Sequence, residues 1–132
     1  MALAYLDSSA LVKLAVVEAE TSALEADLAA RDGLVASVLV VVECRRAARR
    51  AANRRVVQRI EEVLQAVYLI DLSGPLLDRA ARLAPASIRS LDAIHLASAL
   101  SVEEPALDVI TYDGRMADAA QANGLRVAQP GR

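Results

Sequence analysis

Residues 2–14 read ALAYLDSSALVKL, and this stretch contains the pattern that decides the fold. Residues 2–6 form a short apolar run that polar side chains interrupt at once, which is typical of a buried strand that ends in a turn. We expect Ser8 or Ser9 to cap a helix that runs through Leu14. The stretch therefore predicts a strand followed directly by a helix.

The same alternation of strand and helix continues along the chain. Further short strands are predicted at residues 34–36, 67–72, 107–111 and 125–128. Helices are predicted at residues 20–30 and from about 38, capped by Ser37, to 64, with a break or bend at Asn53. A further helix begins near residue 76 and is stopped by Pro85. The last two are predicted at residues 91–101, capped by Ser90, and from near 116 to Asn123. This order predicts a three-layer α/β/α sandwich with a mostly parallel central sheet.

Composition limits the classes of protein that fit this pattern. The 132 residues suit a single domain spanning 1–132, because two cores of that total length would each be marginal. A hydrophobic content of 55% excludes a disordered chain, and an aromatic content of 2% argues against base-stacking platforms. The net charge of −2 indicates neither a nucleic-acid binder nor a membrane-surface protein. With no long apolar run and no basic leader, we expect a cytoplasmic protein without membrane association.

Acidic residues fall at positions where ligands collect in such folds. Asp7 and Asp113 each follow a predicted strand, Asp92 takes the second position of a predicted helix, and Glu43 ends an apolar run. Carboxylates gathered at the carboxyl ends of parallel strands repel one another unless a cation neutralises them, and Mg²⁺ prefers such oxygen ligands. One histidine and one cysteine make zinc an unsuitable ion. Capping and turn roles explain each acid equally well, so spacing alone leaves both interpretations open.

Four segments taken together resemble the successive motifs of the PIN-domain family, and most closely its VapC-type toxins. They are YLDSSALVKL at residues 5–14, the valine-rich run that ends at Glu43, SLDAIHLASAL at 90–100, and VITYDGRMADAAQANGLRV at 109–127. The likeness therefore extends over nearly the whole chain. The third segment and the TYD of the fourth are its most specific parts.

The resemblance implies a PIN-like fold and a metal-dependent ribonuclease site. By likeness, Asp7, Glu43, Asp92 and Asp113 would gather around one or two Mg²⁺ or Mn²⁺ ions and cut RNA. Asp7 and Asp92 would bind the metal directly, Glu43 would hold it or orient its water, and Asp113 would be a ligand or support one. Thr111 corresponds to the family's hydroxyl residue before the last acid, where it would hydrogen-bond a carboxylate or water. A strand-forming role explains Thr111 equally well.

Other polar residues have simpler interpretations. We expect His95 to be a hydrogen-bonded structural residue and Asp118 to lie on a solvated helix face. Half of the fourteen arginines lie between Cys44 and Ile60, and Arg46, Arg50 and Arg54 would form one stripe if that stretch were helical. This basic surface would contact RNA phosphates, dock an acidic partner, or simply remain solvated.

Three functions are compared on these grounds. The leading hypothesis is a Mg²⁺-dependent endoribonuclease toxin that forms a homodimer and is inhibited by a cognate VapB-type antitoxin. The alternative is a catalytically silent PIN-like module that binds RNA or protein. A phosphoacceptor signalling domain would also place Asp at strand ends, but it needs a well-placed lysine, and the only lysine is Lys13 in the first predicted helix.

Overall fold

The computed structural model describes residues 1–132, in which five strands alternate with seven helices. The strands are β1 (Leu3–Leu6), β2 (Gly33–Ser37), β3 (Tyr68–Ile70), β4 (Asp108–Ile110) and β5 (Arg126–Ala128). The helices are α1 (Ser8–Lys13), α2 (Thr21–Ala29), α3 (Leu39–Ala51), α4 (Arg54–Gln65), α5 (Gly74–Arg82), α6 (Ser90–Ser101) and α7 (Gly114–Ala122). None of these helices is long and apolar enough to span a membrane.

All strand pairs are parallel, and the sheet order is β3-β2-β1-β4-β5. The carboxyl ends of all five strands therefore lie at one edge of the sheet. The strand order reverses at β1, and open parallel sheets bind ligands outside the carboxyl ends at such a reversal. The predicted parallel α/β architecture is confirmed, and it fixes the edge at which a site is expected.

Alternating side chains of β1 define the two faces of the sheet. Ala4 and Leu6 join a core built with α1, α2, α3 and α4, whereas Tyr5 joins a second core built with α6 and α7. Helix α5 packs on α6, through a small cluster that includes Leu76 and Ala97. Because β1 is buried on both faces, it reads as a continuous apolar run rather than an alternating one. The molecule thus has the three predicted layers.

Two predicted helix caps are wrong. Asp7, and not Ser8 or Ser9, caps α1, because its carboxylate is the first side chain beyond β1 and accepts the backbone N–H of Ala10. Both serines lie inside the helix. At α6 the N-cap position is Arg89, without a side-chain cap, and Ser90 is the first helical residue. Asp92 is therefore third in its helix instead of second, still within the first turn.

Two further helix starts also differ in detail from prediction. Helix α3 begins at Leu39, with Val38 at its N-cap, although Ser37 Oγ does accept the N–H of Leu39. Helix α5 begins at Gly74, earlier than predicted, because Ser73 Oγ caps it by accepting the N–H of Leu76.

The predicted break at Asn53 is confirmed. Helix α3 ends with Ala52 in the left-handed conformation, at φ 51°, and Asn53 Oδ1 accepts backbone N–H groups at the start of α4. Arg54 therefore begins a new helix. The predicted arginine stripe is wrong beyond Arg50, since only Arg46 and Arg50 share α3.

Candidate active site

Four acids lie at the carboxyl edge of the sheet. Asp7 directly follows β1, and Asp113 comes three residues after β4. Glu43 lies in α3, the helix that follows β2, and Asp92 lies in the first turn of α6. Glu43, Asp92 and Asp113 line one open notch together with Arg89 and Arg115. The fold therefore brings residues from four distant parts of the chain to one edge.

The Asp7 carboxylate is buried and held by three donors. Its Oδ1 accepts the Ser9 hydroxyl at 2.6 Å and the Ala10 N–H at 3.1 Å, and its Oδ2 accepts the Thr111 hydroxyl at 2.5 Å. Only 6% of the residue is exposed. Burial raises the pKa of Asp7, while these hydrogen bonds oppose the rise. No basic side chain pairs with Asp7. Hydrogen-bond donors therefore hold its carboxylate in place, but no opposite charge neutralises it.

Two hydroxyl groups connect the end of β4 to Asp7. Thr111 Oγ1 accepts the Asp113 N–H at 3.1 Å, and Ser9 Oγ accepts the Tyr112 N–H at 3.0 Å. Each hydroxyl also donates to Asp7, so both its donor and an acceptor lone pair are used. The prediction that Thr111 hydrogen-bonds a carboxylate is confirmed. The sequence predicts Ser9 only as a helix cap, although its position two residues after Asp7 also suits a hydrogen bond to that carboxylate.

Glu43 is held by the only histidine. Its Oε1 lies 2.8 Å from His95 Nε2, and the other ring nitrogen, Nδ1, lies 2.6 Å from Tyr5 Oη. His95 is 3% exposed, whereas the Glu43 side chain is 24% exposed. The prediction that His95 is hydrogen-bonded is confirmed. Sequence reasoning missed Tyr5, because a buried strand residue ninety positions from His95 carries no local signal of this contact.

Asp92 and Asp113 are less constrained. Asp113 caps α7 by accepting the Arg115 N–H at 2.9 Å, and its side chain is exposed. Asp92 accepts no hydrogen bond from the protein. Partial burial raises the pKa of Asp92, the charge of Asp113 raises it further, and Asp7 adds to the effect. The charges of Asp113 and Asp7 are thus near enough to repel that of Asp92.

The donor chemistry of this edge fits a hard divalent cation. Carboxylate and hydroxyl oxygens predominate, and arginine neutralises none of the four acids. As the side chains stand, no three His, Cys, Asp or Glu residues are placed to hold one ion together. Mg²⁺ usually takes one or two protein carboxylates and keeps several waters, so a site for it does not need three protein ligands.

Basic side chains adjoin the notch without pairing to its acids. Arg46 and Arg50, on α3, form no ion pair and line a groove together with Ser9, Glu43 and Arg132. Arg45, by contrast, binds Glu61 through two hydrogen bonds. Unpaired guanidinium groups therefore continue from the notch along one side of α3.

The predicted position of Asp118 is also confirmed. This acid lies on α7, it is exposed, and it makes no hydrogen bond or ion pair. It is therefore an acid close to the notch that contributes nothing to the hydrogen-bond network around Asp7.

Comparison with known proteins gives one consistent result. The family model described as "PIN domain" matches residues 4–122. The chain is 40% identical over 136 residues to Ribonuclease VapC46 of Mycobacterium tuberculosis, covering 98% of this chain and 99% of that protein. A toxin–antitoxin complex from Klebsiella pneumoniae aligns with a TM-score of 0.73 at 23% identity, covering 96% and 97% of the two chains. VapBC2 from Rickettsia felis, bound to a DNA fragment from its promoter, aligns with a TM-score of 0.72 at 13% identity, with the same coverage.

Proposed function

This chain belongs to the PIN-domain family and to its VapC-type members, and on that premise we propose that it is the endoribonuclease toxin of a toxin–antitoxin pair. One observation carries the proposal: four carboxylates lie at one edge of the sheet, and none of them forms a salt bridge to an arginine. They belong to Asp7, Glu43, Asp92 and Asp113. A relative of 40% identity that is named a ribonuclease supports the same activity. We also propose that residues 1–132 form one domain.

The proposed cofactor is Mg²⁺ or Mn²⁺, bound directly by Asp7 and Asp92. Such an ion would lower the pKa of water and stabilise negative charge on a phosphodiester under in-line attack. Burial and three hydrogen bonds fix the orientation of Asp7 before the ion arrives. The charges of Asp113 and Asp7 raise the pKa of Asp92, and a bound cation would relieve this repulsion. Two features support this assignment: the carboxylate and hydroxyl oxygens at this edge suit a hard cation, and the negative charges of neighbouring acids repel one another.

Glu43 and Asp113 would act on water and substrate around that ion. Glu43 Oε1 is occupied by His95, while Oε2 has no partner in the protein and is available to accept a proton or hydrogen bond from water. Asp113 contributes negative charge at the open side of the notch, while its own carboxylate closes the first turn of α7. In this proposal Glu43 and Asp113 support the site, and Asp7 and Asp92 bind the ion directly.

RNA is the proposed substrate, gripped mainly through its phosphates. Arg89 and Arg115 line the notch, and Arg46 and Arg50 line the adjoining groove, all four without ion pairs. Electrostatic contacts of this kind bind any RNA of suitable shape, since they read phosphate and not base. With only three tyrosines, no Trp or Phe, and a single buried histidine, stacking contributes little.

The proposed partners are a VapB-type antitoxin and a second copy of the chain. The match to solved toxin–antitoxin complexes over nearly the whole chain supports the first. The homodimer follows from likeness to the VapC-type toxins. Light scattering is expected to give the mass of a dimer, and a monomeric mass across a wide concentration range would contradict it.

The decisive experiment for the activity is RNA cleavage by antitoxin-free protein with Mg²⁺, with EDTA, and with EDTA followed by excess Mg²⁺. We expect cleavage only when the free ion is present. Asp92→Asn, purified in parallel, reveals contaminating nuclease because it should be inactive. Cleavage that ignores EDTA would exclude the metal-dependent mechanism, and metal binding without cleavage of a broad RNA panel would favour the silent binding module.

A further inference from the structure

His95 connects the two helical layers at the carboxyl edge of the sheet. It lies on α6, it bonds Glu43 on α3 through Nε2, and it bonds Tyr5 on β1 through Nδ1. Tyr5 Oη also lies 3.3 Å from the backbone nitrogen of Ser37, which can only donate. His95 and Tyr5 are both buried, so water is excluded from the contact between them, whereas the Glu43 side chain is partly exposed. A continuous hydrogen-bonded chain therefore runs from the backbone of β2 to a proposed active-site acid.

The partners of this chain fix the direction of each hydrogen bond. An ionised Glu43 carboxylate only accepts, so the nitrogen that faces it, Nε2, must carry hydrogen. In the neutral ring Nδ1 is then an acceptor, and the Tyr5 hydroxyl donates to it. The same hydroxyl oxygen accepts from Ser37. Every donor in the chain thus points toward Glu43.

We propose that His95 is a positioning residue for Glu43 and that Tyr5 sets the tautomer that makes this possible. Glu43 reaches the notch on a flexible side chain, and one fixed N–H donor holds Oε1 so that Oε2 remains free for water. Residues that orient a metal-site carboxylate in this way typically change metal affinity or activity 10–100-fold when removed. This role rests on the proposed ribonuclease function, whereas the tautomer itself does not depend on it.

Nuclear magnetic resonance tests the tautomer directly, because His95 is the only histidine of the chain. With ¹⁵N-labelled imidazole, at a pH well above the ordinary histidine pKa, we expect a protonated, pyrrole-type Nε2 and an unprotonated, pyridine-type Nδ1. Tyr5→Phe should shift the signals toward a mixture of the two tautomers. A proton on Nδ1, alone or together with one on Nε2, would overturn the assignment.

Kinetics and metal binding test the positioning role. His95→Leu should lower kcat for RNA cleavage about 10–100-fold with little change in KM, and should weaken Mn²⁺ binding in calorimetry without RNA. His95→Gln should recover most of both, because its amide N–H can stand near the position of Nε2. Leu96→Val is the matched control, since Leu96 is the buried apolar neighbour of His95 on α6 and has no polar group to bond Glu43.

The outcomes separate the two proposals. If the wild-type protein cuts no RNA, the proposed function fails, while the tautomer and the Mn²⁺ affinity still report on His95. If folded His95→Leu keeps both kcat and Mn²⁺ affinity, the positioning role fails and the ribonuclease proposal stands. Should His95→Leu not fold, Tyr5→Phe gives the same test through its mixed tautomer, with an expected intermediate loss of kcat. An unchanged kcat in folded Tyr5→Phe would then reject the role of Tyr5.

Discussion

Aspartates lie at both edges of the central sheet, but the two edges differ in whether arginines pair with them. At the amino edge, Asp108 binds Arg31 and Arg126, and Arg31 also binds Asp27. At the carboxyl edge, Asp7 is held by hydroxyl and backbone donors, and Asp92 accepts no hydrogen bond. At the first edge, arginines of the protein neutralise Asp108. The second leaves negative charge for something outside the protein to neutralise.

The pKa directions follow this difference. Partial burial would raise the pKa of Asp108, but hydrogen bonds from Arg126 and Arg31 outweigh it and lower the value. Burial raises the pKa of Asp7, and burial together with the charge of Asp113 raises that of Asp92. A raised carboxyl pKa means that the ionised form opposes folding. Acids of this second kind are candidates for function, since a fold retains them at a cost to its own stability.

Replacing one acid of the carboxyl edge should produce the largest effect on activity. Asp7→Asn keeps the shape of the side chain but removes its charge and, with it, a proposed metal ligand. We expect RNA cleavage to fall by about 100- to 1,000-fold, the order seen when a preorganised charge-stabilising group is lost. The measurement is the rate constant for cleavage under saturating protein in the presence of Mg²⁺.

Asp118→Asn is the matched control for this variant. Asp118 is an exposed acid on α7, near the notch but outside the hydrogen-bond network of Asp7. The Asp118→Asn variant should cleave RNA at the wild-type rate. Equal losses in both variants would indicate that general negative charge matters here, and the distinction between bound and solvated acids would not hold.

Replacing an acid of the amino edge should act on stability instead. Asp108→Asn removes the charge that faces Arg31 and Arg126, and the Arg31 side chain is only 11% exposed. Because Asp27 still pairs with Arg31, we expect a loss of about 2–3 kcal/mol in the free energy of unfolding, below the full cost of a buried unpaired charge. Urea unfolding measures it, and activity per folded molecule should stay at the wild-type level. A loss of activity without loss of stability would break the comparison.

The pH dependence of stability should have opposite signs at the two edges. Asp7 and Asp92 have raised folded-state pKa values, so their contribution is present below the unfolded pKa near 3.8 and is lost as pH rises through the folded value. Asp108 has a lowered value, so its contribution is present above the unfolded pKa and is lost as pH falls. Between about pH 4 and pH 7, Asp92→Asn should therefore gain melting temperature relative to wild type.

Added Mg²⁺ sharpens the same measurement. A cation that binds only the folded protein stabilises it, by about 2.7 kcal/mol at a concentration one hundred times its Kd. The melting temperature of the wild type at pH 7 should rise with Mg²⁺, and that of Asp7→Asn should not. Equal rises in both variants would place the bound ion away from Asp7.

The sequence contains enough information to predict the edge but not the contacts within it. Asp7 and Asp113 follow buried strands, and parallel strands end together, so their shared edge is predictable from local pattern alone. The sequence predicts a serine cap for α1, because serine and aspartate are equally good caps and only the geometry after β1 decides between them. The bridge from Tyr5 through His95 to Glu43 depends on packing between elements far apart in the chain, which no local periodicity encodes.

The smallest expected effect applies the same distinction to neighbouring arginines on α3. Arg45 is neutralised by Glu61, whereas Arg46 has no acidic partner and lines the groove beside Glu43. Arg46→Gln should weaken RNA binding a few-fold and lower the slope of log affinity against log salt by about 0.7, the value for one contact to a single strand. Arg45→Gln should leave the slope unchanged, since its charge is already compensated. If the Arg45 variant changes the slope as much as the Arg46 variant, ion pairing within the protein does not decide which charges are available to a ligand. The contrast between the two sheet edges would then not extend to other charged residues.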